Sequence, residues 1–138
     1  MTPAAFYALL TAVLIGPLGP LLGATLAHTG PVVQVAAPFE GGNMLAAQGQ
    51  VHCEWSGVAG EQAEASMWLW EWLLWWPPEW RDPLVVHEYL HALDCLDDGL
   101  LNGSPLPFPP VTDDPAHEFV NWALANPAQA IELAGFSP

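Results

Sequence analysis

The sequence predicts one folded domain that contains both helices and strand. Its 138 residues suit a single domain with one hydrophobic core. Hydrophobic residues make up 52% of the chain, which is enough to build such a core and argues against general disorder. Several segments space their apolar residues as helices do, whereas Pro31–Val35 is rich in β-branched residues and is typical of a strand. We therefore treat residues 1–138 as one unit.

Two predicted helices have clear sequence signals. Phe6–Ile15 is a short apolar run with helical spacing. Val85–Leu96 is preceded by Asp82, a natural N-cap, and by Pro83, which the first helical turn tolerates. Gly99 stands where a helix commonly ends. The second of these segments is therefore predicted to be a helix capped at both ends.

The end of the chain predicts two further elements. Asp114 and Pro115 resemble a helix start, and Asn126-Pro127 would break that helix. A short segment, Ala128–Ala134, follows the break. The proline-rich run before it, Asn102–Pro115, is predicted to be a loop.

The tryptophan-rich segment Met67–Trp76 fits two periodicities. Trp68, Trp70 and Trp72 alternate, as on a strand. Helical spacing is also followed, by Trp68, Trp72, Trp75 and Trp76. The rings can fill a core, form a wall beside a substrate cleft, or lie at a membrane interface. Core and cleft wall are favoured, because no cationic residues flank the rings.

The first thirty residues, 1–30, are almost wholly apolar, and the first charged side chain is that of Glu40. Ala4–Ala27 is long enough to span a bilayer, so a membrane or signal segment is one interpretation. Gly-Pro pairs at 16–17 and 19–20 interrupt such a helix, and no basic residue precedes it. The alternative is a core helix to about Ile15, a turn, and a buried strand.

The charge balance is strongly acidic. The chain has fifteen acidic residues, Arg81 as its one arginine or lysine, and a formal net charge of −14. Nucleic-acid binding requires cationic side chains at phosphates, so a nucleic-acid partner is not expected. Anionic membranes are disfavoured for the same reason. Metal ions and basic peptides are the favoured partners, although the acidity can also serve solubility alone. Two cysteines, Cys53 and Cys95, can pair or remain thiols, and their spacing does not decide between these states.

The motif His87-Glu88-Tyr89-Leu90-His91 lies within the predicted helix Val85–Leu96. Residues four apart share one face of a helix, so His87 and His91 present two imidazoles to one point. Catalytic zinc sites combine such ligands with an open position for water. Glu88, next to the first ligand, is the expected general base. The pattern predicts Zn²⁺ and hydrolysis of a carbonyl compound; the alternative is a pair of ordinary core histidines.

Two aspartates follow the motif. Asp94 is about one turn after His91, where it can hydrogen-bond a ligand imidazole. Asp97 occupies a position at which some zinc proteases place a third ligand. In those proteases a glycine usually lies three residues before the ligand, whereas this chain has Asp94 there, which argues against Asp97 as a direct ligand. The alternative for both is a solvated helix end.

The residues around the motif resemble the Mlc titration factor A family of zinc metallopeptidases. The similarity lies in His87–Asp94, which matches HE-x-x-H-x-L-D, followed by Asp98-Gly99 and the G-x-P loop Gly103–Pro105. Upstream, Val35–Phe39 is similar to a strand of that family ending in P-x-F. The resemblance extends over roughly residues 32–105, with a weaker match in the tail.

This resemblance implies a fold, a function and a third metal ligand. It implies a compact, zincin-like α+β fold, in which a small mixed sheet packs on the active helix, and a cytoplasmic protein rather than a membrane-anchored or secreted one. It implies a zinc-dependent peptidase that acts on a peptide or protein, with no regulatory partner identified. His52 matches a histidine that can reach the metal.

The third ligand of the family is a glutamate on a later helix, whose start is similar to Asp114–Phe119. The expected glutamate is absent about two turns further on, so Glu118 is the preferred candidate. His117 and Glu132 are the alternatives. Because the expected glutamate is absent, the alternative function is a catalytically degenerate protein that keeps the fold and serves as a binding or regulatory module.

Overall fold

The computed structural model describes residues 3–29, 33–35, 49–54, 64–69, 71–96 and 115–133. Within these ranges, nothing is described of the side chains of His52, Cys53, Asp94 and Cys95. Asp97, Gly99 and the G-x-P loop lie outside the described residues, as does the predicted loop before Pro115. The predictions made for these positions therefore stay predictions.

Helices form most of the described chain. The described ranges contain five α-helices and one 3-10 helix, in the order α1 (Pro3–Leu14), α2 (Gly19–Thr29), the 3-10 helix (Glu71–Trp75), α3 (Pro78–Leu96), α4 (Pro115–Ala125) and α5 (Pro127–Leu133). Three short strands, β1 (Val33–Val35), β2 (Gly49–Glu54) and β3 (Glu64–Leu69), lie between α2 and the 3-10 helix along the chain. In the sheet, β3 is central, parallel to β1 and antiparallel to β2.

The predicted α+β class is wrong, because the described fold is dominated by its helices. Among the residues that the structure describes, the core consists of buried side chains from all five α-helices and the 3-10 helix, together with Met67 and Leu69 of β3. The sheet is thus a minor element beside a helical body. Among the described helices, none combines the length and apolarity that a membrane span requires.

The second N-terminal element is a helix, not the buried strand that we expected. The Gly-Pro pairs fall in the linker after α1 and in the first turn of α2, where proline does not remove a needed hydrogen bond. Leu21, Leu22 and Thr25 are fully buried, at the spacing of one helical face. The Thr25 hydroxyl donates to the Leu21 carbonyl at 2.8 Å, which satisfies a polar group inside the core.

The tryptophan-rich segment contains both predicted periodicities, one after the other. Its start belongs to β3, which buries Met67 and Leu69, and its later part is the 3-10 helix, which buries Leu73. Trp76 packs against the core, whereas Trp75 is 74% exposed. The expectation that these rings fill the core therefore fails for Trp75.

Helix α3 begins at Pro78, five residues before Pro83, so Asp82 is not an N-cap. Asp82 is 2% exposed and accepts a hydrogen bond at 2.9 Å from Nε of Arg81, which is itself largely buried. Its other oxygen, Oδ2, has no hydrogen-bond partner in the part of the chain that the structure describes. The one arginine of the chain is thus used in an internal ion pair, not on an open surface.

Helix α3 is the central element of the fold. It packs against α1, α2 and α4, and also against β2 and β3. Ring contacts join α1 to α3, with Phe6 and Tyr89 centroids 6.4 Å apart. The later prediction of a helix from Asp114-Pro115, broken at Asn126-Pro127, is confirmed by α4 and α5.

The junction of α1 and α2 requires glycine at position 19. A Cβ added at Gly19 would lie 1.9 Å from the Leu14 carbonyl oxygen, which is backbone and cannot rotate away. At Gly23, in the middle of α2, the nearest atom to an added Cβ is Leu14 Cδ2 at 3.8 Å, an ordinary contact. Position 19 therefore has no room for a side chain, whereas position 23 has room for the methyl group of alanine.

We expect Gly19→Ala to lower the free energy of unfolding by roughly 2 kcal/mol or more, because the helix junction must open. Gly23→Ala should raise it by about 0.5–1 kcal/mol, because alanine loses less backbone entropy in a helix. Urea denaturation of both variants measures the two changes. Equal effects of the two substitutions would contradict the close packing of α1 on α2.

Candidate functional site

Three histidines converge at one end of the contact between α3 and α4. His87 and His91 lie one turn apart on α3, and His117 lies in the first turn of α4. Nε2 of His91 is 3.0 Å from Nε2 of His87 and 3.1 Å from Nε2 of His117. The ligand atoms of all three lie within 4.8 Å of one another. The pair predicted from the HExxH motif is therefore joined by a third imidazole from a distant part of the chain.

These nitrogens cannot all be satisfied by hydrogen bonds among themselves. A neutral imidazole nitrogen carries either one N–H or one lone pair, so Nε2 of His91 has a single hydrogen or lone pair to share between two neighbours. A cation bound among the three nitrogens would instead use one lone pair from each ring. Zinc bonds imidazole at about 2.0–2.1 Å, which places tetrahedral ligand nitrogens about 3.4 Å apart, close to the separations seen here. The residues therefore fit a transition-metal ion.

The electrostatic environment favours the metal-binding form of the first ligand. Burial, and then the neighbouring charge of His117, lower the pKa of His87 below its usual value. A lowered pKa keeps the imidazole neutral near neutral pH, and only the neutral ring binds metal. His87 and His91 are half-buried and His117 is exposed, so the candidate site opens to solvent on the side of α4.

Glu88 lies beside the histidines but on the buried side of α3. Its side chain is 8% exposed, and burial raises its pKa to about 7, an effect that His117 partly opposes. The carboxyl group is therefore poised to exchange a proton near neutral pH, as a general base must. The charge of His117 acts on the pKa of Glu88, so the carboxyl group interacts electrostatically with the histidine cluster.

The preferred third ligand of the sequence prediction is not in this cluster. Glu118 is half-buried in the first turn of α4, and the described group of candidate ligands contains His117 instead. Glu132 is exposed on α5 and is also outside the group. His52 lies on β2, where its Cα pairs with Ser66 of β3. The sequence signal for His117 was its position at the start of a predicted helix. It precedes by one residue Glu118, the ligand that the sequence analysis preferred.

The buried carboxyl of Glu88 generates a pH-dependent stability. The carboxyl group loses its proton near its ordinary pKa of 4.5 in the unfolded chain and near a pKa of about 7 in the folded chain. Stability is thus unaffected below the lower value, falls as pH rises between the two, and stays reduced above 7. A difference of about 2.5 pKa units corresponds to about 3 kcal/mol.

We expect Glu88→Gln to remove this dependence in metal-free protein. Between about pH 5 and about pH 8, the unfolding free energy of the parent chain should fall by about 2–3 kcal/mol more than that of the variant. Denaturant titrations with a chelator present measure both. Parallel pH profiles for the two proteins would contradict the prediction, because they would show that folding does not raise the pKa of Glu88.

Comparison of the chain with protein-family models, with curated proteins and with solved structures finds no match. The resemblance to the Mlc titration factor A family therefore stays a prediction that rests on the residues around the HExxH motif. The candidate site is supported by its own geometry.

Proposed function

We propose that this chain is a zinc-dependent peptidase in which His87, His91 and His117 hold the metal and Glu88 is the general base. The observation that carries the proposal is that Nε2 of His117, from α4, lies 3.1 Å from Nε2 of His91, which in turn lies 3.0 Å from Nε2 of His87 in the HExxH motif of α3. Three histidine ligands with an open position for water are one of the known catalytic zinc sites, and an unliganded carboxyl beside the metal can act as the base.

The residues of the chain have separate tasks in this proposal. Bound zinc supplies a Lewis acid and lowers the pKa of a coordinated water. Glu88 would accept a proton from an attacking water and return it to the leaving amine, and its pKa of about 7 suits both transfers near neutral pH. The three histidines would hold the metal, and the lowered pKa of His87 favours its neutral, metal-binding form. The exposed side of His117 leaves an approach for a chain-like substrate.

The substrate proposed is a peptide or an unstructured protein segment. The HExxH arrangement is typical of peptide-bond hydrolysis, and the net charge of −14 attracts cationic chains while disfavouring nucleic acids. A cytoplasmic location, which the family resemblance implies, belongs to the same proposal. A regulatory partner is not assigned.

A second candidate is a metal-binding module without catalysis. It is favoured by one observation: the cluster contains His117 where the resembled family places a glutamate. The two candidates share the metal and differ in turnover, so they are separated by hydrolysis measured on zinc-loaded protein.

The first test concerns the third ligand. We expect His117→Ala to weaken zinc binding by roughly 100-fold or more, because one of three protein ligands is lost. Glu118→Ala, at the adjacent residue, should change the affinity by less than about threefold. Competition with a chromophoric chelator measures both. Strong weakening by Glu118→Ala alone would assign the ligand to the carboxylate that the sequence analysis preferred.

The second test concerns the base. Glu88→Gln should retain one zinc per chain and lower kcat/KM on an unfolded protein substrate by roughly 10²–10⁴-fold, because the variant cannot accept the proton. Glu132→Gln makes the same chemical change on exposed α5 and should leave kcat/KM unaltered. Zinc-loaded parent protein that does not hydrolyse any peptide would favour the non-catalytic module.

A further inference from the structure

Helix α3 is open to solvent along one narrow stripe. From Asp82 to Leu93 every side chain is buried except those at four positions, namely Pro83, Leu84, His87 and His91. Towards the start of the helix the stripe continues in Trp80, which is 68% exposed. The metal-binding face and an exposed tryptophan therefore belong to the same surface of one helix.

Helical geometry aligns Trp80 with the two histidines. At about 100° per residue, Trp80 points in a direction about midway between His87 and His91. It precedes His87 by seven residues, which at about 1.5 Å per residue is about 10 Å along the helix. Helical side chains all lean towards the N-terminus, so this offset is kept between the rings. Pro83 and Leu84 lie between them on the same face.

The ring of Trp80 packs against a second aromatic ring, and the neighbouring Arg81 is engaged elsewhere. Its ring meets that of Trp76 edge to face, with centroids 6.4 Å apart and planes at 81°. Trp76 packs in turn against the core, so the pair is held from below. Arg81 is directed into its ion pair with Asp82. The two partly exposed residues between Trp80 and His87 on this face, Pro83 and Leu84, are apolar.

We propose that Trp80, supported by Trp76 and continued by Pro83 and Leu84, is a substrate subsite for an apolar or aromatic side chain. An extended peptide advances about 3.3 Å per residue, so a side chain on Trp80 belongs to a residue about three positions from the bond at the metal. This inference rests on the proposed function and specifies its substrate class: peptides with an apolar residue at that distance, bound by burial against the rings.

The cleavage profile tests this subsite directly. A mixture of diverse peptides is digested with zinc-loaded protein, and the products are sequenced by mass spectrometry. We expect Phe, Trp, Leu and Met to be enriched about three positions from the cleaved bond on one side. Trp80→Ala should abolish this enrichment, and Trp80→Phe should restore part of it. Tyr7→Ala is the matched control, because Tyr7 is also 68% exposed but lies on α1, which packs against the Tyr89 side of α3.

A pair of peptides gives the magnitude. For two substrates that differ only by Phe or Ser at the enriched position, kcat/KM should favour Phe by roughly tenfold, and Trp80→Ala should bring that ratio near one. Circular dichroism and zinc content verify that each variant is folded. Cleavage without enrichment, or enrichment that survives Trp80→Ala, would overturn the subsite while leaving the peptidase intact.

A binding measurement separates the subsite from catalysis. Zinc-loaded Glu88→Gln is titrated with fluorescently labelled Phe and Ser peptides, with and without Trp80→Ala. We expect the Phe peptide to bind more tightly than the Ser peptide and to lose roughly tenfold in affinity on Trp80→Ala. This result supports the subsite even if the parent protein hydrolyses no peptide. In that case the proposed peptidase activity is wrong and the subsite stands. Equal affinity for both peptides in this assay overturns the subsite.

Discussion

The structure depends on the burial of α3 on all sides but one. Helices α1, α2 and α4 and the strands β2 and β3 pack around it, so its apolar side chains form the centre of the core. The stripe that stays open contains the two motif histidines. A helix fixed by so many neighbours holds its side chains rigidly, which is the condition for a preorganised metal site.

The candidate site places polar chemistry at the edge of this core. Glu88 is buried, and this burial raises the pKa of its carboxyl group and so disfavours its charged form. The three imidazoles lie within hydrogen-bond distance of one another at the same edge. In the function that we propose, a zinc ion would bind the three nitrogens and Glu88 would act as the base beside it. The metal would also join α3 to α4, which are separated by a long connection in sequence.

Charge is distributed unevenly in this molecule. The chain has fifteen acidic residues and one arginine, and that arginine forms a largely buried ion pair with Asp82. The described N-terminal helices, in contrast, have no charged side chain. The acidic character attracts cations in general, while the aromatic pair Trp76 and Trp80 offers burial to apolar groups. Selection of a substrate by this site would combine the two.

The sequence by itself determined the features that depend on local spacing. These are the apolar helix α1, the boundaries of α4 and α5, and the face shared by His87 and His91, since helical periodicity sets all of them. Only the tertiary structure decided that helices dominate the fold, that residues 19–29 form a helix, and that Asp82 is buried within α3 and not a cap. It also brought His117, and not Glu118, to the histidine pair. The physical reason is that adjacent residues on a helix point about 100° apart, so the packing angle of α4 on α3 selects between them, and no local pattern contains that angle.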